Sequence, residues 1–176
     1  MTTSVLARPG GEPKWINRSI VAGSAIFVFA LAVVAIFAPQ WRVLHVLQAL
    51  IYVAVVILAR RKSAWGFGAG VFIAAFWDAL ILFRSPIGQQ AAAGIVALIH
   101  GGPSPRPDVM LQAFAGCGHV LIIVGCLAGF VRTRPGGRQW GEFVAGGVLA
   151  IGYLLLMVFT VGPPEGAQHI REALGL

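Results

Sequence analysis

Five long apolar stretches set the pattern of this chain. They occupy residues 20–37, 43–59, 64–83, 109–131 and 143–161, and short segments rich in proline, glycine or basic residues separate them. Each is close to the roughly 20 mostly apolar residues that a helix needs to cross a hydrocarbon core about 30 Å thick. Lipid cannot satisfy an open strand edge, so we expect helices and not strands. The pattern predicts an all-α, polytopic membrane protein with a five-helix transmembrane bundle over residues 16–162.

Three shorter segments complete the predicted architecture. Residues 88–100 are apolar but too few to cross a bilayer, and Gln89-Gln90 stand near their start. They predict a short helix that is either interfacial or re-entrant, and the sequence leaves both possibilities open. Residues 1–15 contain two prolines and tandem glycines, which predicts a mobile cytoplasmic tail. Residues 163–176 follow a Gly-Pro-Pro break and predict a short tail on the outer side.

Composition and charge place the chain in a membrane. Apolar residues make up 58% and charged residues 11%, whereas a soluble domain carries about 25% charged residues. The 13 Lys and Arg against 6 Asp and Glu give a net charge of +7. Because the basic residues flank apolar stretches, the predicted partner is the lipid bilayer and not nucleic acid.

The basic residues also predict an orientation. Nine of them fall on the side of the bundle that holds the N-terminus, and the four on the other side are Arg42, Arg84, Arg106 and Arg171. Basic residues concentrate in cytoplasmic loops. We therefore expect a protein of the cell (inner) membrane with its N-terminus inside, and with its C-terminus and residues 88–100 outside.

Polar side chains recur on single faces of the predicted spans. His45, Gln48 and Tyr52 stand at i, i+3 and i+7 of the second span, and Gln112 and His119 are seven residues apart on the fourth. Such residues inside a span usually face the bundle interior, where many simply bond a neighbouring helix. The pattern predicts a ligand-binding pocket in the outer half of the membrane. Its predicted residues are His45, Gln48, Tyr52, Asp78, Gln112, His119 and Tyr153. The first span has no comparable stripe and is expected at the periphery.

Asp78 is the most costly of these residues. A carboxylate at such a depth costs roughly 2.5–3.5 kcal/mol on insertion scales unless it is protonated or paired. By its level along the helix, His45 is the nearest expected partner, and Arg84 is the alternative. His119 is expected to lie deeper.

Glycine pairs predict close helix approach. Gly66 and Gly70, and Gly125 and Gly129, form GxxxG patterns, and further glycines follow in the fifth span. Such patterns serve helix contacts within a chain or between copies, so a homo-oligomer through these faces is a further expectation.

Three hypotheses for function remain open, besides a purely structural subunit of a larger complex. The sequence lacks a P-loop, a GxSxG elbow and an HExxH motif, and it identifies no cofactor, so a non-enzymatic protein is favoured. The first hypothesis is a pocket for a lipid-like, quinone-like or other small amphipathic molecule. The second is proton-coupled transport or conduction through an oligomer, with Asp78 and His119 titrating. The third is a metal or haem redox subunit that uses His45, Asp78 and His119 as ligands.

Overall fold

Helices make up almost all of the described structure. The computed structural model describes residues 13–84, 86–102 and 106–175. In these residues the chain forms helices and no strand, which confirms the predicted all-α class. Five helices are long and apolar enough to cross a membrane, which confirms the predicted bundle. The helices are α1 Lys14–Phe37, α2 Arg42–Arg60, α3 Ala64–Arg84, α4 Pro86–Ile99, α5 Pro107–Arg132, α6 Gly137–Val161 and α7 Pro164–Leu174.

Prolines mark where several helices begin. Pro107 and Pro164 stand at the first positions of α5 and α7. The first N–H groups of a helix have no acceptor within the helix, so a residue without an N–H breaks no hydrogen bond there. Helix α1 begins at Lys14, so it includes the last residues of the predicted tail, and residues 1–12 lie outside the described part of the chain. We call the end of the bundle where α1 ends and α5 begins the Trp41 end. The opposite end, where α2 turns into α3, is the Lys62 end.

Helix α1 is an integral part of the bundle, which corrects the expectation that it is peripheral. It runs antiparallel to α5, and a Cβ at Gly23 would meet the carbonyl oxygen of Gly118. Of its most apolar 18 residues, 39% are buried, against 28% for α6. The expectation was wrong because it depended on polar residues, whereas small and apolar side chains pack just as closely.

The glycine pairs pack within the chain. A Cβ at Gly66 would meet Leu58 of α2, one at Gly70 would meet the sulfur of Cys126 on α5, and one at Gly129 would meet the ring of Phe67 on α3. Gly125 lies against Ile20 of α1 in the same way. These four glycines therefore bring α1, α2, α3 and α5 together. The homo-oligomer stays a prediction, and the helix faces that carry these glycines already pack against neighbouring helices of the same chain.

Two short helices cover parts of the bundle. Helix α4 has 14 residues and a length of about 21 Å, too short to cross a bilayer, and it packs on α3 and α5. Helix α7 forms within the predicted C-terminal tail and folds back on the Trp41 end. Its Ile170 is buried, and its Gly166 faces the ring of Trp41.

Candidate functional site

A hydrogen-bonded chain of three side chains joins α2, α5 and α3. The hydroxyl of Tyr52 lies 2.8 Å from Nε2 of His119, and Nδ1 of His119 lies 2.7 Å from Oδ1 of Asp78. Tyr52 and His119 are 0% and 1% exposed. Three helices are therefore connected through one imidazole ring.

The partner of Asp78 is His119, which corrects the expectation of His45. Close packing of Gly70 against Cys126 brings α3 and α5 together, and Asp78 and His119 meet about two turns further along the two helices. The ring of His45 instead stacks on Trp41, with 6.0 Å between ring centroids. Arg84, the other expected partner, has a side chain that lies outside the described part of the structure. The level of a residue along its helix could not reveal these pairings, because it does not tell toward which neighbouring helix the side chain is directed.

The pairing of donors with acceptors assigns the protons of the Tyr52–His119–Asp78 hydrogen bonds. The fully buried Tyr52 hydroxyl has one hydrogen to donate, and among the described residues Nε2 of His119 is its acceptor. A neutral imidazole that accepts at Nε2 carries its proton on Nδ1, so Nδ1–H donates to Asp78. Asp78 is then an ionised carboxylate that accepts the hydrogen bond from His119. Both donors of this three-residue chain, the Tyr52 hydroxyl and Nδ1–H of His119, then have an acceptor.

Phe27 of α1 covers the chain on one side. Its ring centroid lies 4.0 Å from that of His119 and 4.5 Å from that of Tyr52. The sequence could not point to Phe27, because a phenylalanine in an apolar span does not stand out from its neighbours.

A cavity of about 530 Å³ lies at the Trp41 end, and we call it the Gln48 cavity. It is lined by residues of α1, α2, α3 and α5 and by Val158 of α6, and α7 contributes Glu165, Gly166 and Ile170. Most of its lining is apolar, while His45, Gln48, Trp77 and Gln112 supply polar groups within the membrane-spanning helices.

Three polar atoms of residues lining the Gln48 cavity are buried without a hydrogen-bond partner among the described residues. They are Nδ1 of His45, Nε2 of Gln48 and Nε1 of Trp77. A buried donor left unpaired costs about 1–3 kcal/mol, so such groups call for an explanation. Ser24 carries a fourth atom of this kind and lines neither of the two cavities described here.

The mouth of the Gln48 cavity carries an ion pair. Asp108 lines the cavity and accepts hydrogen bonds from Arg106, with 3.1 Å between Nε and Oδ1. These hydrogen bonds raise the pKa of Arg106 above its ordinary value. Both side chains are exposed, so the pair marks the boundary between the cavity and water.

A second cavity of about 510 Å³ lies between α3, α4 and α5, and we call it the Asp78 cavity. Asp78 lines it, together with mainly aliphatic and small side chains. Ile81 and Gln112 line both cavities, so the two spaces share a wall.

The predicted site residues thus fall into separate groups. Asp78, His119 and Tyr52 form the hydrogen-bonded chain, and His45, Gln48 and Gln112 line the Gln48 cavity. Tyr153 belongs to neither, since its hydroxyl donates to the carbonyl oxygen of Leu47 at 3.3 Å and ties α6 to α2. Trp77 was missed because its indole N–H is easily overlooked in an apolar stretch.

The alternative metal-ligand set of His45, Asp78 and His119 is not brought together. Among the described residues, no three His, Cys, Asp or Glu side chains lie close enough to share a metal ion. Both ring nitrogens of His119 are engaged by Tyr52 and Asp78, so neither is available to a haem iron.

These features define an α-helical membrane protein with a hydrogen-bonded Tyr-His-Asp chain and two adjoining cavities. Comparisons with protein-family models, with curated proteins and with solved structures found no match to this chain.

Proposed function

We propose that this protein binds a small amphipathic molecule in the Gln48 cavity. The observation that supports the proposal is that three residues with a buried, unpartnered polar atom, His45, Gln48 and Trp77, line one largely apolar space. A cavity of about 530 Å³ falls within the usual range of small-molecule sites, roughly 300–1,000 Å³.

The chemistry of these atoms indicates the polar part of the molecule. The amide nitrogen of Gln48 and the indole nitrogen of Trp77 can only donate, and Nδ1 of His45 donates when it carries the ring proton. The head of the molecule would therefore present acceptor oxygens, such as those of an ester, a carboxyl group or a quinone-like carbonyl. Its body would lie against apolar lining residues that include Phe27, Leu44 and Leu80.

We infer that the Gln48 cavity faces the outer side of the cell membrane. The excess of basic residues at the Lys62 end and in the N-terminal segment supports this orientation. A ligand would then reach the cavity from the outer leaflet or from the water beside α7.

Proton-coupled transport is the second candidate, and the Tyr52–His119–Asp78 chain favours it. It ranks second because aromatic rings fill the bundle toward the Lys62 end. Phe130 stacks on Phe143 at 4.3 Å and meets Trp140 at 4.8 Å, measured between ring centroids. Such packing leaves little room for a polar path through that half of the described bundle.

Native mass spectrometry of the purified protein tests the first candidate. The wild-type chain should retain a small molecule that survives gentle detergent removal. Gln48→Leu and Trp77→Phe should each lower the retained fraction about tenfold, because each removes a donor to the polar head. Gln90→Leu, the same type of change at an exposed position on α4, should have no effect. Retention of no molecule by the wild type, or equal retention by all variants, would refute the proposal.

A further inference from the structure

The Asp78 cavity differs in chemistry from the Gln48 cavity. Its lining is aliphatic apart from the Asp78 carboxylate, the amide of Gln112 and the thiol of Cys117. The side chain of Asp78 is 30% exposed, in contrast to the buried ring of His119. One oxygen of the Asp78 carboxylate is thus hydrogen-bonded to His119, and Asp78 also borders an apolar space.

The charge of Asp78 is not neutralised by its partner. His119 is a neutral donor in the proton arrangement above, because it accepts from Tyr52 and donates to Asp78. Among the described residues, no Lys or Arg side chain pairs with Asp78. An ionised carboxylate beside an apolar space is costly unless a positive group accompanies it.

We propose that the Asp78 cavity binds an organic ammonium ion that carries an apolar body. The ammonium group would donate to the carboxylate of Asp78, and the body would lie against aliphatic residues such as Ile81, Ile95 and Val120. A neutral acyl chain would leave the negative charge uncompensated, and an anion would be repelled. The proposal does not require a molecule in the Gln48 cavity, although Ile81 and Gln112 border both cavities.

Three probes with a common phenylethyl group test the charge requirement. They are 2-phenylethylammonium, the uncharged 2-phenylethanol and the anionic 3-phenylpropanoate, titrated calorimetrically into the purified full-length protein at neutral pH. The ammonium should bind at least about tenfold more tightly than the alcohol, as expected for a charge-assisted hydrogen bond, and the carboxylate should not bind. Equal affinity for ammonium and alcohol, or no binding of the ammonium, would overturn the proposal.

Two variants locate the binding. Asp78→Asn retains an oxygen that can accept from His119 but removes the charge, so it should abolish the preference for the ammonium. Gly116→Phe fills the cavity while Asp78 stays, because a Cβ at Gly116 meets no described atom within 4 Å. Gly152→Phe is the matched control, at an exposed α6 position that is equally open and lines neither cavity. Ammonium binding that persists in Gly116→Phe would place the site elsewhere and refute the proposal.

Cys117 provides a measurement that does not depend on the folding of a variant. It lines the Asp78 cavity and is exposed, whereas the second cysteine of the chain, Cys126, is buried. In the wild-type protein, 2-phenylethylammonium should slow alkylation of Cys117 severalfold, and 2-phenylethanol at the same concentration should not. Unchanged alkylation at saturating ammonium would contradict binding in this cavity.

Discussion

His119 is the residue on which the interior of the bundle depends most. It contacts Tyr52 of α2, Asp78 of α3 and the ring of Phe27 on α1, while its own backbone belongs to α5. Four of the five long helices therefore meet at one side chain. A polar residue in this position restricts how the helices can rotate, because each alternative arrangement leaves a buried donor or acceptor unpaired.

The two tyrosines of the chain permit a matched test of this role. Tyr52→Phe removes the donor to a buried imidazole, so we expect a loss of about 1–2 kcal/mol in the free energy of unfolding. Tyr153→Phe removes a longer bond to Leu47 from a partly exposed residue, and should cost less than about 0.5 kcal/mol. Unfolding of the two variants in mixed micelles gives the comparison. A larger loss for Tyr153→Phe would contradict the assigned importance of the buried chain.

At the scale of the element, α7 determines how the Gln48 cavity is covered. A single short connection, Gly162-Pro163, separates it from α6, and its contacts with the bundle include Gly166 against Trp41 and the buried Ile170. Short helices with few buried contacts open at low free energy, so α7 is a suitable cover for a site that exchanges its ligand.

A larger residue at Gly166 should weaken this cover. In Gly166→Leu the added side chain would meet the ring of Trp41, with only 2.7 Å left for its Cβ. We expect faster proteolysis within α7 and faster loss of the retained molecule, with the unfolding of the rest of the bundle unchanged. Gly141→Leu, at a position with no described atom within 4 Å of a Cβ, is the control. Proteolysis at the wild-type rate would show that α7 does not depend on this contact.

At the scale of the whole molecule, the distribution of basic residues is the basis of the proposed orientation in the membrane. The proposed topology places Gln40 outside and Gly137 inside, and both residues are exposed at opposite ends of the bundle. In intact cells, Gln40→Cys should react with a membrane-impermeant maleimide, and Gly137→Cys should react only after permeabilisation. Labelling of the wild-type chain, which contains Cys117 and Cys126, gives the background reaction with the maleimide. The reverse pattern would place the Gln48 cavity on the cytoplasmic side.

The predicted elements agree closely with the helices, and the site agrees in part. The five spans differ from α1, α2, α3, α5 and α6 mainly at their ends, because the helices extend past the apolar residues into polar flanks. Of the predicted site residues, His119, Gln48 and Tyr52 are indeed buried. The expected pairing of Asp78 with His45 was wrong, since Asp78 contacts His119 and His45 lies beside Trp41. The ligand-binding role of these residues stays a prediction.

The amino-acid sequence by itself determined the class of structure and indicated three of the buried residues with polar groups, Gln48, Tyr52 and His119. Both follow from local physics, since about 20 apolar residues can be buried only by lipid or by neighbouring helices, and backbone groups in lipid must bond within the helix. Tertiary structure alone decided which of these residues meet. Helix rotation and register depend on close contacts between distant segments, such as Gly70 with Cys126 and Gly23 with Gly118. Those contacts divide the polar residues between one hydrogen-bonded chain and two cavities, because a rotation of part of a turn changes every partner a side chain can reach.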